Sequence, residues 1–298
     1  MAADCAPIPE ALLCREAEDI AARYRVTVED AMAALREAFA AVPALSQRVR
    51  KRQAEEDVTR WRDYREVVRR CRHEIYYSLR RYYPPSGEAA RLVEEFEQEA
   101  RGEARPQRIE ELRRALLAAH KSTSERMPHY EEFYEKFFAL VGTPAALLDV
   151  GCGMHPLSYP FSGAGRDTRH YVAVDKDECA VQAVRAYADL AAPGRLLAVE
   201  AQLDSVTWMD GLPYGGPFEL TVMLKIVPVL IRLDRGPVMR LAATPARRVL
   251  LTGNVQSMTR RETIEARERM VLQRFIEWSG RRVAQEFRVG DEFGYVLE

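Results

Sequence analysis

Asp149-Val150-Gly151-Cys152-Gly153 follows the apolar pair Leu147-Leu148, so an acid stands at the end of a buried-strand pattern, just before a turn with two glycines. Glycines at such a turn let backbone approach a ligand where any Cβ would collide. A helix starting near Pro156 would aim its N-terminus at the same place. A dinucleotide fingerprint would need a third glycine at position 156, where this chain has proline. The next predicted strand, His170 to Val174, ends in a second acid, Asp175, placed to accept hydrogen bonds from both hydroxyls of a ribose. Two strand-end carboxylates around a glycine turn suit S-adenosylmethionine (SAM) better than a dinucleotide.

The elements that must position these residues are a helical front and an α/β back. Strand-like runs at Ala145–Val150, Tyr171–Asp175, Leu196–Glu200, Leu220–Leu224 and Val249–Thr252 alternate with helical patterns, which predicts a mainly parallel sheet. Arg282–Arg288, Gly290-Asp291 and Phe293–Leu297 read as a terminal antiparallel hairpin. Ahead of the sheet, Tyr64, Val68, Cys71, Ile75, Leu79 and Tyr82 recur at helical spacing until Pro84-Pro85 stops the helix. Further helices are predicted over Gly87–Glu103 and Pro106–Ala119. Ser122-x-x-Glu125 has the capping-box pattern and marks the next helix start, with Tyr130, Phe133, Tyr134, Phe137, Phe138 and Val141 on a face that packs on the sheet.

At 298 residues and 47% apolar content, the chain can fill one good core plus an appended domain. Acids at Asp4, Glu10, Glu16, Glu18 and Asp19, with no basic stretch before an apolar run, exclude a secretory signal at the start. Lys225 interrupts the most apolar segment, Leu220–Ile231, which is too short to span a bilayer. The five cysteines lack C-x-x-C spacing, so neither a disulfide framework nor a metal site is expected, and the cytoplasm is the expected compartment. The net charge of -1 conceals an uneven distribution. Between Arg48 and Arg81 twelve Lys or Arg face six acids, so this segment could hold nucleic acid while the remainder is acidic. Trp61, Tyr64, Tyr76, Tyr77, Tyr82 and Tyr83 interleave with these charges, a pattern that serves base stacking or a helix core equally well.

The segment His120-Lys121-Ser122-Thr123-Ser124-Glu125-Arg126 resembles the H-x-S-T-x-E-R element of the aminoglycoside-resistance 16S ribosomal RNA (guanine-N7) methyltransferases. Asp149 to Leu157, reading D-V-G-C-G-M-H-P-L, is similar to their glycine loop, and Tyr171 to Asp177 to their ribose-binding strand end. Leu224-Lys225-x-x-Pro228-x-Leu230 and Glu292 to Leu297 resemble their fourth-strand motif and closing strand, so the likeness covers about residues 60–298. It implies an α/β class I SAM methyltransferase domain over residues 120–298, preceded by a helical RNA-binding domain over 1–119.

By resemblance, His120, Lys121 and Ser122 line the cofactor, and Arg126 pairs with its methionine carboxylate. Asp149, Gly151 and Gly153 border the methionine moiety. Asp175, beside Lys176, takes the ribose hydroxyls, and Leu203, Leu224 and Lys225 flank the adenine. The adenine-reading residue is Gln202 or Asp204. Tyr82 reaches over the cofactor or is a plain core tyrosine. RNA contacts fall to Arg60, Arg62, Arg69, Arg72, Ser257, Arg260 and Arg261, with the 30S subunit as the implied partner. No catalytic acid or base is assigned, because guanine N7 already offers a lone pair. Three places depart from the family: His155 replaces an Asn in the glycine loop, Gln202 aligns best where an acid reads the adenine, and Gly253–Thr259 matches the family's target loop clearly only at Ser257. The alternative function is a small-molecule SAM-dependent methyltransferase of a biosynthetic pathway.

Overall fold

The computed structural model describes residues 7–24, 26–79, 87–102, 105–203, 205, 207–231, 235–257, 260 and 262–298. Contacts divide the chain into two compact units, one of residues 1–81 with 256–263 and the other of 82–255 with 264–298.

Helices α1 (Glu10–Arg23), α2 (Val28–Ala40), α3 (Pro43–Arg52) and α4 (Arg62–Leu79) build the first unit. Thr27 starts α2 by accepting from the Asp30 N–H, and Pro43 opens α3, where its missing N–H costs nothing. The apolar stripes converge on Leu13, Ile20, Leu35, Phe39, Val49, Tyr64, Val68 and Cys71, a core separate from that of the second unit. Pro84-Pro85, the predicted stop of α4, lies outside the described residues.

The second unit begins with α5 (Glu88–Arg101) and α6 (Pro106–Ala119), so the boundary falls at residues 81 and 82, whereas the sequence suggested 119 and 120. The reason is packing. Val93 and Phe96 of α5 and Leu112, Leu116 and Leu117 of α6 share one core with the sheet residues Leu147, Tyr171, Ala173 and Leu220. Next come α7 (Lys121–Arg126) and α8 (Tyr130–Val141), then β1 (Ala146–Val150), β2 (His170–Asp175), α9 (Glu178–Ala191), β3 (Leu196–Glu200) and β4 (Phe218–Leu224). The chain closes with α10 (Ile226–Leu230), α11 (Arg235–Ala242), β5 (Ala246–Asn254), α12 (Glu265–Ser279), β6 (Val283–Val289) and β7 (Glu292–Leu297).

The strands form one seven-stranded sheet in the order β3-β2-β1-β4-β5-β7-β6, parallel except where β7 pairs antiparallel with β5 and β6. Side chains alternate across it, as strand geometry requires. Leu147 of β1 faces the core with α5, α6, α8 and α9, while Leu148 and Val150 face the core that holds Val238 of α11 and Leu272 and Phe275 of α12. Two local expectations fail. The chain after the glycine turn makes only a single 3-10 turn, His155–Ser158, because Pro160, Gly163 and Gly165 follow at once and do not sustain a helix. The capping box also does not form: α7 begins at Lys121, which puts Ser122 inside the first turn, and Glu125 pairs with lysines instead.

Candidate functional site

The glycine turn sits where β1 ends, between β2 and β4. Gly151 and Cys152 N–H groups both donate to the Val174 carbonyl, at 2.8 and 3.1 Å, which hooks the turn onto the end of β2. Gly151 and Gly153 adopt φ of +68° and +49°, the left-handed region that disfavours any side chain. A Cβ on Gly153 would lie 2.6 Å from His120 Cε1, and one on Gly151 would lie 2.8 Å from Ile226 Cγ1. The protein's own packing therefore already demands glycine at both positions. Gly153 N–H donates to Asp175 Oδ2 at 2.7 Å, and Asp177 N–H donates to Oδ1 at 3.0 Å. The carboxylate is thus held by backbone with lone pairs to spare for a diol. Burial, partly offset by these N–H groups, raises its pKa.

Arg126 is buried, and its Nε and Nη2 bond both oxygens of Glu292 at 2.9–3.0 Å in a fork geometry. Lys225 Nζ lies 3.6 Å from the same carboxylate and 3.2 Å from Glu125 Oε2, and Lys121 approaches Glu125 at 3.7 Å. Burial pushes the Glu292 carboxyl up, but Arg126 and Lys225 overcome it and hold the group at about 2. Burial likewise works against the charge on Arg126, and Glu292 more than offsets it. Lys225 takes φ +61°, and no other non-glycine among the described residues has a positive φ. Its N–H donates to Thr252 Oγ1 at 3.1 Å, fixing a conformation that costs on the order of 1–3 kcal/mol. Strain of this kind concentrates at ligand-binding sites.

Asp149 lies under the turn, fully buried. It accepts one hydrogen bond, from the Tyr171 hydroxyl to Oδ2 at 2.8 Å, while Oδ1 has no partner among the described residues. Burial lifts its pKa to about 7 against the pull of Tyr171 and Arg126. His120 is also buried, which drives its pKa down to about 4, and its Nδ1 lies 3.1 Å from Ser122 Oγ. His155, the residue that departs from the family's Asn, stacks on Tyr134 with centroids 6.0 Å apart and meets Phe133 edge-on at 5.8 Å. Burial keeps this imidazole well below its ordinary pKa, hence neutral. The site thus gains an aromatic anchor where an amide was expected.

The structure gathers His120, Ser122, Arg126, Asp149, Gly151, Gly153, Asp175, Leu224 and Lys225 around the ends of β1, β2 and β4. Lys176 and Gln202 are exposed at the ends of β2 and β3, and Leu203 is buried in the core on the far side of the sheet from Leu147. Tyr82, Tyr83, Asp204 and Arg261 lie outside the described residues. Sequence reasoning gave Glu292 and Tyr171 no place in the site, and read Glu125 only as part of a helix cap. An acid opening an otherwise apolar strand was the available signal for Glu292.

In the helical unit, Arg60, Arg62 and Arg69 are exposed. Arg60 pairs with Asp57 at 3.1 Å, and Arg69 Nε donates to Glu66 at 2.9 Å. Arg72 is half-buried against Glu16 at 3.3 Å. Ser257, expected to face RNA, is buried instead. Its N–H donates to the Glu262 carbonyl at 3.0 Å and its Oγ accepts from the Arg260 N–H at 3.1 Å, so it shapes the loop.

Strand order, glycine turn and terminal hairpin together define a class I SAM-dependent methyltransferase fold. A family model described as ribosomal RNA methyltransferase (FmrO) matches residues 40–283, and the chain belongs to that family. Among curated relatives, the 16S rRNA (guanine(1405)-N(7))-methyltransferase of Micromonospora rosea is 35% identical over 127 residues, 41% of this chain and 42% of the relative. The protein of the same description from Micromonospora olivasterospora is 24% identical over 251 residues, 83% of this chain and 80% of its own. Several of the curated matches thus span well under two thirds of the relative's length. Among solved structures, the 16S rRNA methyltransferase RmtF in complex with S-adenosyl-L-homocysteine aligns with TM-score 0.55 at 20% identity, covering 88% of this chain and 97% of that one. The 16S rRNA methylase RmtB aligns with TM-score 0.52 at 14% identity, covering 96% and 98%. Both likenesses concern the fold.

Proposed function

We propose that this chain transfers a methyl group from SAM to N7 of guanine 1405 of 16S rRNA within the 30S subunit, in the cytoplasm, and thereby confers aminoglycoside resistance. The observation that carries the reading is the cluster of buried Arg126, Glu292 and Asp149 with the partly buried Lys225 and Asp175 in a chain of a ribosomal RNA methyltransferase family. The donor set fits the cofactor: the unpartnered Asp149 Oδ1 suits an ammonium, and Arg126 and Lys225 suit a carboxylate. Asp175 retains lone pairs for the ribose diol, Leu224 offers the adenine an apolar surface, and Gln202 stands at the strand end for its amine. SAM supplies an electrophilic methyl group, and N7 supplies a lone pair, so the protein's task is alignment. Reaching N7 requires unstacking the base, at about a few kcal/mol. Arginines of the helical unit, Arg69 and Arg72 among them, would offset this by gripping folded RNA through its phosphates.

Incubation with radiolabelled SAM and purified 30S subunits, followed by mapping of the label, tests the reading directly. Expression in a susceptible bacterium should raise resistance to gentamicin and kanamycin and leave apramycin nearly unaffected. Tight SAM binding without 30S labelling or resistance would promote the small-molecule alternative. Asp175→Ala should weaken SAM binding by roughly 1.5–3 kcal/mol, the range for hydrogen bonds to a charged group. Unchanged affinity in calorimetry would remove Asp175 from the site.

A further inference from the structure

The loop after β5, residues 256–263, belongs to the helical unit, although the sequence placed it among the target contacts of the methyltransferase domain. There Tyr24 makes an antiparallel bridge to Arg260, whose guanidinium carbon lies 6.0 Å from the ring centroids of both Tyr24 and Tyr76. Arg260 thereby lines a cleft of about 840 Å³ between α1 and α4. Six arginines line it, namely Arg15, Arg23, Arg65, Arg69, Arg72 and Arg260, against two carboxylates, Glu16 and Asp19. Glu16 is taken up by Arg72 at 3.3 Å. Among the described residues Arg15 and Arg23 make no ion pair, and Arg65 Nη2 is used only on the Arg60 carbonyl, at 2.8 Å. Tyr64 is buried in the wall of the cleft beside Glu16.

Converging guanidinium groups repel one another unless an anion lies between them, and the planar forks match phosphate oxygens two at a time. Tyrosine faces beside them suit the ribose or base of a strand that is not stacked in a helix. We propose that this cleft, closed by Arg260, is where the helical unit holds a phosphodiester segment of its RNA substrate, and that the exposed basic run around Arg52, Arg60 and Arg62 contributes much less. The inference rests on the proposed function, since it presumes an RNA substrate. It also gives Arg260, in the loop after β5, a new role in the wall of an RNA-backbone site within the helical unit. Within the cleft Arg69, Arg72 and Arg260 already have carboxylate partners, Glu66, Glu16 and Glu262. Arg15 and Arg23 are what set it apart from the exposed run, where Arg52 pairs with Glu55 at 2.7 Å and Arg60 with Asp57 at 3.1 Å.

The test compares two triple variants of the full chain that remove equal charge, R15A/R23A/R260A from the cleft and R52A/R60A/R62A from the exposed run. Binding to purified 30S subunits is measured against log salt, and SAM affinity by calorimetry. Each lost phosphate contact lowers the salt slope by about 0.7–0.9, so the cleft variant should lose about two to three units and the exposed-run variant less than one. SAM affinity should match the parent in both. Equal slope changes, or a parent-like slope in the cleft variant, overturn the cleft and leave the proposed function intact. A parent that neither binds nor methylates 30S overturns both. If the cleft variant loses SAM binding through misfolding, Asp19→Asn decides the matter: removing an exposed acid from the cleft should tighten 30S binding about two- to fivefold, and unchanged or weaker binding overturns the proposal.

Discussion

The two units use the same chemical pair, arginine with a carboxylate, to opposite ends. In the methyltransferase unit Arg126 and Glu292 are 3% and 6% exposed and lock one another in a fork geometry. In the helical unit Arg69 and Glu66 are 71% and 57% exposed. A buried pair has no water to replace a lost partner, so each ion depends on the other. An exposed pair gains little from its contact and exchanges it freely. Burial therefore makes the first pair a fixed frame, and exposure leaves the second free to exchange partners.

The largest expected effect is on that frame. Glu292→Ala leaves a guanidinium buried without its counter-charge and should destabilise the protein by about 3–5 kcal/mol in urea denaturation. A loss below about 1 kcal/mol would mean that Arg126 reaches water and would break the comparison. Replacing both partners by apolar residues should cost less than either single change, which would mark the pair as retained for cofactor binding more than for stability.

A smaller effect concerns Asp149, buried beside this frame with its pKa lifted to about 7 from an unfolded value near 4. Between those values the folded state holds a proton that the unfolded state has released, so stability falls as pH rises through the window and levels off above about 7. Asp149→Asn removes this dependence. Relative to the parent, the variant should gain on the order of 2–3 kcal/mol between pH 5 and pH 8, measured by denaturation at both. Parallel pH profiles would show that Asp149 is solvated or already ionised in the fold.

At the small end, Glu66→Ala should leave the thermal midpoint unchanged within error, because its bond to Arg69 lies in water. The same change should tighten 30S binding slightly by freeing Arg69. A measurable loss of stability would show that exposed pairs in the helical unit act structurally, and would blur the distinction between the two regions. Among the described residues no helix is long and apolar enough to cross a membrane.

The sequence alone determined the sheet, because strand alternation and a glycine turn are written within a few neighbouring residues. Leu147 to Gly153 specify a buried strand, an acid and a left-handed turn without help from elsewhere. It also placed Asp149 and Asp175, since a residue at a strand end in a parallel sheet has only one edge to occupy. Tertiary structure decided what those residues touch. Arg126 and Glu292 stand 166 positions apart and meet only because β7 inserts between β5 and β6. Lys225 takes its left-handed conformation because Thr252, on the neighbouring strand, holds its N–H. The basic run read as one continuous feature, yet folding turned Arg72 toward Glu16 and left Arg60 and Arg62 in solvent. Helices α5 and α6 looked like part of the helical front and joined the sheet instead, because their apolar stripes match its face. Periodicity reports which side of a helix is apolar, while the surface that covers it depends on the whole chain.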